Sequence, residues 1–169
     1  ISAYHWLLFV ICFLANIMGG TASTLMSVYL PVLVRDLLGT VREEELSQVS
    51  AYISALYFVG WAIGGLVMGV IGDRIGRVRS LVLSICMFGL FTFLISFASS
   101  WEMILVFRFF CGFGVGGMMG INTTLLSEVW PVKTRAVFIG ILSIGFPVGI
   151  FSSGAVNYLV SGWKDGFKM

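Results

Sequence analysis

Charged residues are scarce in this sequence, and that scarcity indicates its class. Only 11% of the 169 residues are charged and 59% are hydrophobic, whereas roughly a quarter of the residues of a soluble domain carry a charge. The mean hydropathy is +1.03, which predicts an integral membrane protein. The formal net charge of +2 is too small, and the basic residues are too scattered, for a nucleic-acid partner.

Residues that commonly perform catalysis or bind metals are also few. The sequence has one histidine, His5, and three cysteines, Cys12, Cys86 and Cys111, all within apolar runs and at no metal-ligand spacing. His5 has no acid or nucleophile at a spacing that would make a hydrolytic site. The Gly-x-x-x-x-Gly-Lys-Ser/Thr loop that binds nucleoside triphosphates is absent from the sequence. We therefore expect no enzyme, no cofactor and no metal site.

Five apolar runs are long enough to cross a membrane, since about 20 helical residues span ~30 Å of hydrocarbon. The runs show no alternation of period two and exceed the ~10 residues of a barrel strand, so a β-barrel is disfavoured. The expected fold is all-α and membrane-integral, with one transmembrane domain over residues 1–169. Its helices are predicted at about 4–34, 46–71, 80–97, 102–127 and 136–160.

Basic residues between the runs predict the orientation in the membrane. Arg74, Arg77 and Arg79 lie between runs two and three, and Lys133 and Arg135 lie between runs four and five. Because loops rich in Lys and Arg stay in the cytoplasm, the N-terminus is predicted to be cytoplasmic. The short connections favour a bacterial inner membrane, with another plasma membrane or an organelle membrane as the alternative.

Polar residues within the runs indicate which faces avoid lipid. Arg108 on the fourth run predicts either a site for an anionic solute or a side chain that reaches the outer interface, and Asn122 shares its helical face. Polar stripes on the first and fifth runs include Asn16, Thr24 and Asn157. These five residues are predicted to line a solute cavity, with hydrogen bonding between helices as the alternative.

Glycines recur at four-residue spacing within three of the runs, and such rows permit helices to cross closely. Pro147 interrupts the fifth run and predicts a kink or gate there. The rows are Gly60 with Gly64, Gly65 with Gly69, Gly112 with Gly116 and Gly120, and Gly145 with Gly149.

Three motifs resemble those of the major facilitator superfamily. The stretch Gly69-Val70-Ile71-Gly72-Asp73-Arg74-Ile75-Gly76-Arg77-Val78-Arg79 is similar to its signature loop in residues, length and place. Arg108-Phe109-Phe110-Cys111-Gly112-Phe113-Gly114 resembles its second motif, with a cysteine where glutamine is common. Glu128-Val129-Trp130-Pro131-Val132-Lys133-Thr134-Arg135 resembles a loop of its sugar-porter and organic-ion branches. The resemblance covers essentially the whole chain and implies the N-terminal half of a transporter with two six-helix halves.

The resemblance also implies a cytoplasmic gate. Asp73 and Arg77 would form a charge relay, and Glu128 and Arg135 would form a second cluster that exchanges partners as the two halves rock. The sixth helix and the C-terminal half are expected to lie outside this sequence. The implied gate residues are Gly69, Asp73, Arg74, Gly76, Arg77, Glu128 and Arg135.

The favoured function is a secondary transporter that moves a small polar organic solute by alternating access, with an organic anion indicated by Arg108. A sugar or nucleoside facilitator is the first alternative, and a non-transporting receptor or structural subunit of a membrane complex is the second. The first run reads Asn16-Ile17-Met18-Gly19-Gly20-Thr21 where sugar porters place an acid, which argues against a proton-coupled sugar symporter of that kind. A coupling ion is expected to be a proton or sodium.

Overall fold

The computed structural model describes residues 3–39 and 42–166 of the chain, apart from the side chains of residues 38, 43, 156 and 160–166. Over these residues the backbone forms five helices and no strand. They are α1 (Ala3–Leu38), α2 (Glu43–Ile75), α3 (Arg77–Ile95), α4 (Trp101–Val129) and α5 (Arg135–Gly166). All five are long and apolar enough to cross a bilayer. The predicted all-α membrane fold is confirmed.

Helix ends differ from the ends of the apolar runs. α2 begins at Glu43 and ends at Ile75, so it includes charged residues that lie outside the predicted range 46–71. α3 instead begins at Arg77 and stops at Ile95, before the predicted end at 97. Hydropathy marks the residues suited to hydrocarbon, whereas a helix continues as long as its backbone hydrogen bonds are satisfied.

The chain divides into two compact units. The first contains the described residues of Ile1–Val28 and Trp130–Met169, which are the N-terminal part of α1 and all of α5. The second contains the described residues of Tyr29–Val129, which are the rest of α1 with α2, α3 and α4.

Within the second unit α4 packs against both α2 and α3. Four glycines bring the backbones of α2 and α4 into contact. A Cβ atom on any of these glycines would collide with a backbone carbonyl oxygen of the other helix, so larger residues could not occupy these positions at this separation. The glycines and the residues whose carbonyls they meet are Gly60 with Phe109, Gly64 with Phe113, Gly112 with Tyr57, and Gly116 with Trp61.

In the first unit α1 and α5 make a similar contact. Gly20 of α1 meets the carbonyl of Phe146, and Gly149 of α5 meets the carbonyl of Ile17. At one end of these helices the buried Trp130 is the centre of an aromatic cluster. The rings that lie within 6.0 Å of the Trp130 ring are those of His5, Trp6, Phe9 and Phe138.

Candidate functional site

The charged stretch between α2 and α3 turns at Gly76. This glycine is the single residue between the two helices and has a φ of 97°, in the left-handed region that residues with a Cβ atom rarely adopt. Its N–H donates to the carbonyl of Gly72. The turn places Arg77 at the first position of α3, beside the last turns of α2.

Arg77 connects three helices through one guanidinium group. Its Nη2 forms an ion pair with Asp73 of α2, its Nε donates to Glu128 Oε1 of α4 at 3.0 Å, and its Nη1 donates to the carbonyl of Gly69 at 3.3 Å. Both carboxylates are exposed to solvent, so each pair contributes under about 1 kcal/mol. We call Gly69, Asp73, Arg77 and Glu128 the Arg77 cluster. Pairs this weak can break and re-form at little cost in free energy.

The remaining residues of the predicted gate have different surroundings. Arg135 donates its Nε and Nη2 to the carbonyl of Trp130, at 3.4 and 3.3 Å, whereas Glu128, which the resemblance pairs with Arg135, belongs to the Arg77 cluster. Arg74 is exposed in the last turn of α2. A Cβ atom at Gly69 would meet no described atom within 4 Å.

Arg108 is buried inside the second unit, with 2% of its surface exposed. Its guanidinium carbon lies 4.9 Å from the centre of the Tyr57 ring on α2, and Tyr57 is itself 5% exposed. A cation over an aromatic face is attracted by the quadrupole of the ring. The guanidinium therefore lies between the helices and does not extend along the lipid interface.

Asn122 lies on the same buried face of α4 and is also fully buried. Fourteen residues separate it from Arg108, which corresponds to roughly 20 Å along the helix axis at ~1.5 Å per residue. A small organic solute is too short to contact both side chains. Between them Cys111 Sγ lies 3.5 Å from Thr92 Oγ1 of α3, so this part of the face packs against α3.

The other three predicted cavity residues belong to the first unit. Asn16 is buried, and its Nδ2 donates to the carbonyl of Leu142 in α5 at 3.3 Å. The hydroxyl of Thr24 donates to the carbonyl of Gly20, one turn earlier on α1, at 2.9 Å. Asn157 is partly buried in α5. The hydrogen bond of Asn16 joins α1 to α5, as expected for a polar residue that bonds between helices.

Two residues that the sequence did not single out take part in these contacts. Tyr57 provides the ring beneath Arg108. The Thr21 hydroxyl lies 2.9 Å from the carbonyl oxygen of Ile17 and 3.1 Å from that of Gly149, so its one proton is shared between the two and supports the contact of α1 with α5. A tyrosine within an apolar run gives little indication of its function in the sequence. Tyr57 lies three residues before Gly60, however, and this spacing could have placed it where α2 crosses another helix.

Comparison with known proteins relates the chain to membrane carriers. A family model described as Major Facilitator Superfamily matches residues 9–167. A 4-hydroxybenzoate transporter of Acinetobacter baylyi is 32% identical over 96% of this chain and 34% of its own length. A gallate transporter of Pseudomonas putida is 34% identical over 98% of this chain and 36% of its own length. A benzoate transport protein of Acinetobacter baylyi is 28% identical over 100% of this chain and 37% of its own length. The chain thus spans about a third of the length of these relatives.

Proposed function

The chain belongs to the Major Facilitator Superfamily, and from this membership we propose that the full-length protein is a secondary transporter of small organic anions that works by alternating access. Relatives named for 4-hydroxybenzoate, gallate and benzoate support a narrower substrate class, a carboxylate on an aromatic ring. Coupling to a proton or sodium ion, a bacterial inner membrane and a cytoplasmic N-terminus are parts of the same proposal.

The buried guanidinium of Arg108 is the observation that carries this proposal. An arginine stays charged in proteins, and its planar fork of N–H groups binds a carboxylate through two parallel hydrogen bonds. A fixed cation within a membrane span favours an anion over a neutral sugar or nucleoside, because opposite charges attract strongly where the dielectric constant is low.

The Arg77 cluster is proposed to act in the cytoplasmic gate, together with Arg74, Gly76 and Arg135. Alternating access needs contacts that differ in free energy between the two states by a few kcal/mol. The two ion pairs of Arg77 contribute at most about 2 kcal/mol together, so the other gate residues are proposed to supply the rest of this difference.

Uptake of radiolabelled 4-hydroxybenzoate into proteoliposomes that contain the full-length protein tests the proposed function. We expect saturable uptake that benzoate inhibits and the uncharged analogue benzamide does not. Arg108→Gln should lower kcat/KM by about tenfold to a hundredfold, because a lost charge-assisted hydrogen bond costs about 1.5–3 kcal/mol.

The matched control is Glu45→Gln, which removes an exposed ion pair with Arg42 near the start of α2 and should leave uptake unchanged. Unaltered kinetics in Arg108→Gln, or equal inhibition by benzamide, would contradict an anion site at Arg108. If the wild-type protein binds 4-hydroxybenzoate but does not move it, the receptor alternative is favoured.

A further inference from the structure

Tyr57 and Arg108 meet because the backbones of α2 and α4 touch beside them. Gly112, one turn after Arg108 on α4, meets the carbonyl oxygen of Tyr57. A Cβ atom at residue 112 would push the two helices apart and move the tyrosine ring away from the guanidinium. The glycine contact therefore determines the distance between ring and charge.

The Tyr57 ring is held by its own neighbours on α2. Its centre lies 5.6 Å from that of Phe58 and 6.0 Å from that of Trp61, both in edge-to-face geometry. Such aromatic pairs are favourable beyond the area that they bury. The ring is consequently a fixed surface for the guanidinium, since Tyr57 is also almost fully buried.

A ring face and a carboxylate interact with a guanidinium in different ways. The ring attracts the positive charge through its π-electron face, whereas a carboxylate accepts hydrogen bonds from the N–H groups in the guanidinium plane. The contact with Tyr57 itself uses none of these donors. A ring can therefore orient the arginine while the fork engages an anion.

From this geometry we propose that Tyr57 is the positioning residue for Arg108. Its ring face holds the guanidinium in the orientation that binds the carboxylate of the substrate. This inference rests on the proposed function and concerns the same site. It assigns to Tyr57 an effect on the KM for anionic substrates, with a much smaller effect on kcat.

A series of ring substitutions in the full-length protein tests this role through 4-hydroxybenzoate uptake. Tyr57→Phe keeps the ring, and mono-, di- and trifluorophenylalanine at the same position weaken its negative face with little change in size. We expect KM to rise with each fluorine. In Tyr57→Leu, which has no ring, KM should reach about 5- to 30-fold above wild type, because a cation–π contact is worth about 1 kcal/mol when exposed and about 2 kcal/mol when desolvated. Tyr57→Phe should stay within about twofold of wild type, because it keeps that contact.

Tyr52→Leu is the matched control, since it removes the same kind of ring from an exposed position of α2; its KM should remain that of wild type. Melting temperature and elution volume in detergent report whether each variant folds. If Tyr57→Leu does not fold, the fluorinated rings still test the inference.

A KM that does not depend on fluorination, or a Tyr57→Phe variant as defective as Tyr57→Leu, overturns the inference. If Arg108→Gln impairs uptake and the fluorine series does not, the inference alone fails. Absence of wild-type uptake overturns the proposed function and this inference with it.

Discussion

Individual glycines in this chain differ in what surrounds them. A Cβ atom at Gly64 would collide with the backbone of Phe113, whereas one at Gly89 would meet no described atom within 4 Å. Backbone atoms of a packed helix cannot move aside as the end of a flexible side chain can. The absence of a side chain therefore has a steric reason at Gly64 that it does not have at Gly89.

Replacing Gly64 with alanine should destabilise the full-length protein by about 1–3 kcal/mol, the usual cost of overpacking a well-packed contact. Gly89→Ala is the matched control and should be neutral or stabilising by up to about 1 kcal/mol, because alanine is the better helix former. Thermal unfolding in detergent measures the stability of both variants. Equal melting temperatures for the two variants would contradict the close crossing of α2 and α4.

At the scale of helices, polar side chains join α1 to α5 on both sides of Pro147. Asn16 donates to the carbonyl of Leu142, and Thr21 donates to that of Gly149. A proline lacks the N–H that would bond to the carbonyl four residues earlier, so α5 has one fewer internal hydrogen bond near these contacts. The hydrogen bonds from α1 stabilise the helix pair on either side of that position.

Thr21→Val should lower the free energy of unfolding by about 0.6 kcal/mol, and by at most about 1.7 kcal/mol, the average and the largest effect known for hydrogen bonds between membrane helices. Thr123→Val is the control, because the Thr123 hydroxyl donates to the carbonyl of Met119 in its own helix. Chemical unfolding in mixed micelles gives the free energy of unfolding of the two variants for comparison. If Thr123→Val lost as much stability as Thr21→Val, the hydrogen bond between α1 and α5 would add nothing to the free energy of unfolding.

The Arg77 cluster is a contact of three elements, since it joins the end of α2, the start of α3 and the end of α4. Arg77→Lys keeps the charge but loses the planar fork that serves several acceptors at once. We expect the initial rate of uptake to fall by up to about fivefold for each pair lost, and the free energy of unfolding to change by less than about 1 kcal/mol.

Arg42→Lys is the control for Arg77→Lys, because Arg42 forms an exposed 3.5 Å ion pair with Glu45 near the other end of α2. Uptake by this variant should match that of wild type at both low and high ionic strength. A similar loss in both variants would indicate a general effect of charge and not a role of the Arg77 cluster.

At the scale of the whole chain, the described residues contain five helices long and apolar enough to cross a membrane, and the basic residues concentrate in alternate connections between them. This distribution predicts that the connection after α2 and the one after α4 face the cytoplasm, and that the connection after α3 faces outward. The orientation stays a prediction.

Cysteine labelling in intact cells tests the orientation. In a full-length background without Cys12, Cys86 and Cys111, Ser99→Cys should react with a membrane-impermeant maleimide. Val132→Cys should react only after the cells are permeabilised. Both positions are exposed in the structure, so the difference reports the side of the membrane. Labelling of residue 132 from outside would reverse the predicted topology.

The sequence was sufficient to predict five helices, the membrane class and the family, because each depends on local properties. Hydropathy over about 20 residues reports a span, and the motif from Gly69 to Arg79 is recognisable from residue order alone. Helix ends were less predictable, since α2 continues past the apolar run to Ile75. There the backbone hydrogen bonds continue although the apolar surface has ended.

The contacts of individual polar residues depend instead on which helices meet. Arg108 lies over Tyr57 because glycines let α2 and α4 touch, and Asn16 donates to α5 although its spacing fits a cavity wall equally well. Glu128 is 51 residues from Arg77 along the chain and 3.0 Å from it in space. Helical periodicity places a residue on a face of its own helix, but it carries no information about the partner of that face, and packing between helices selects that partner.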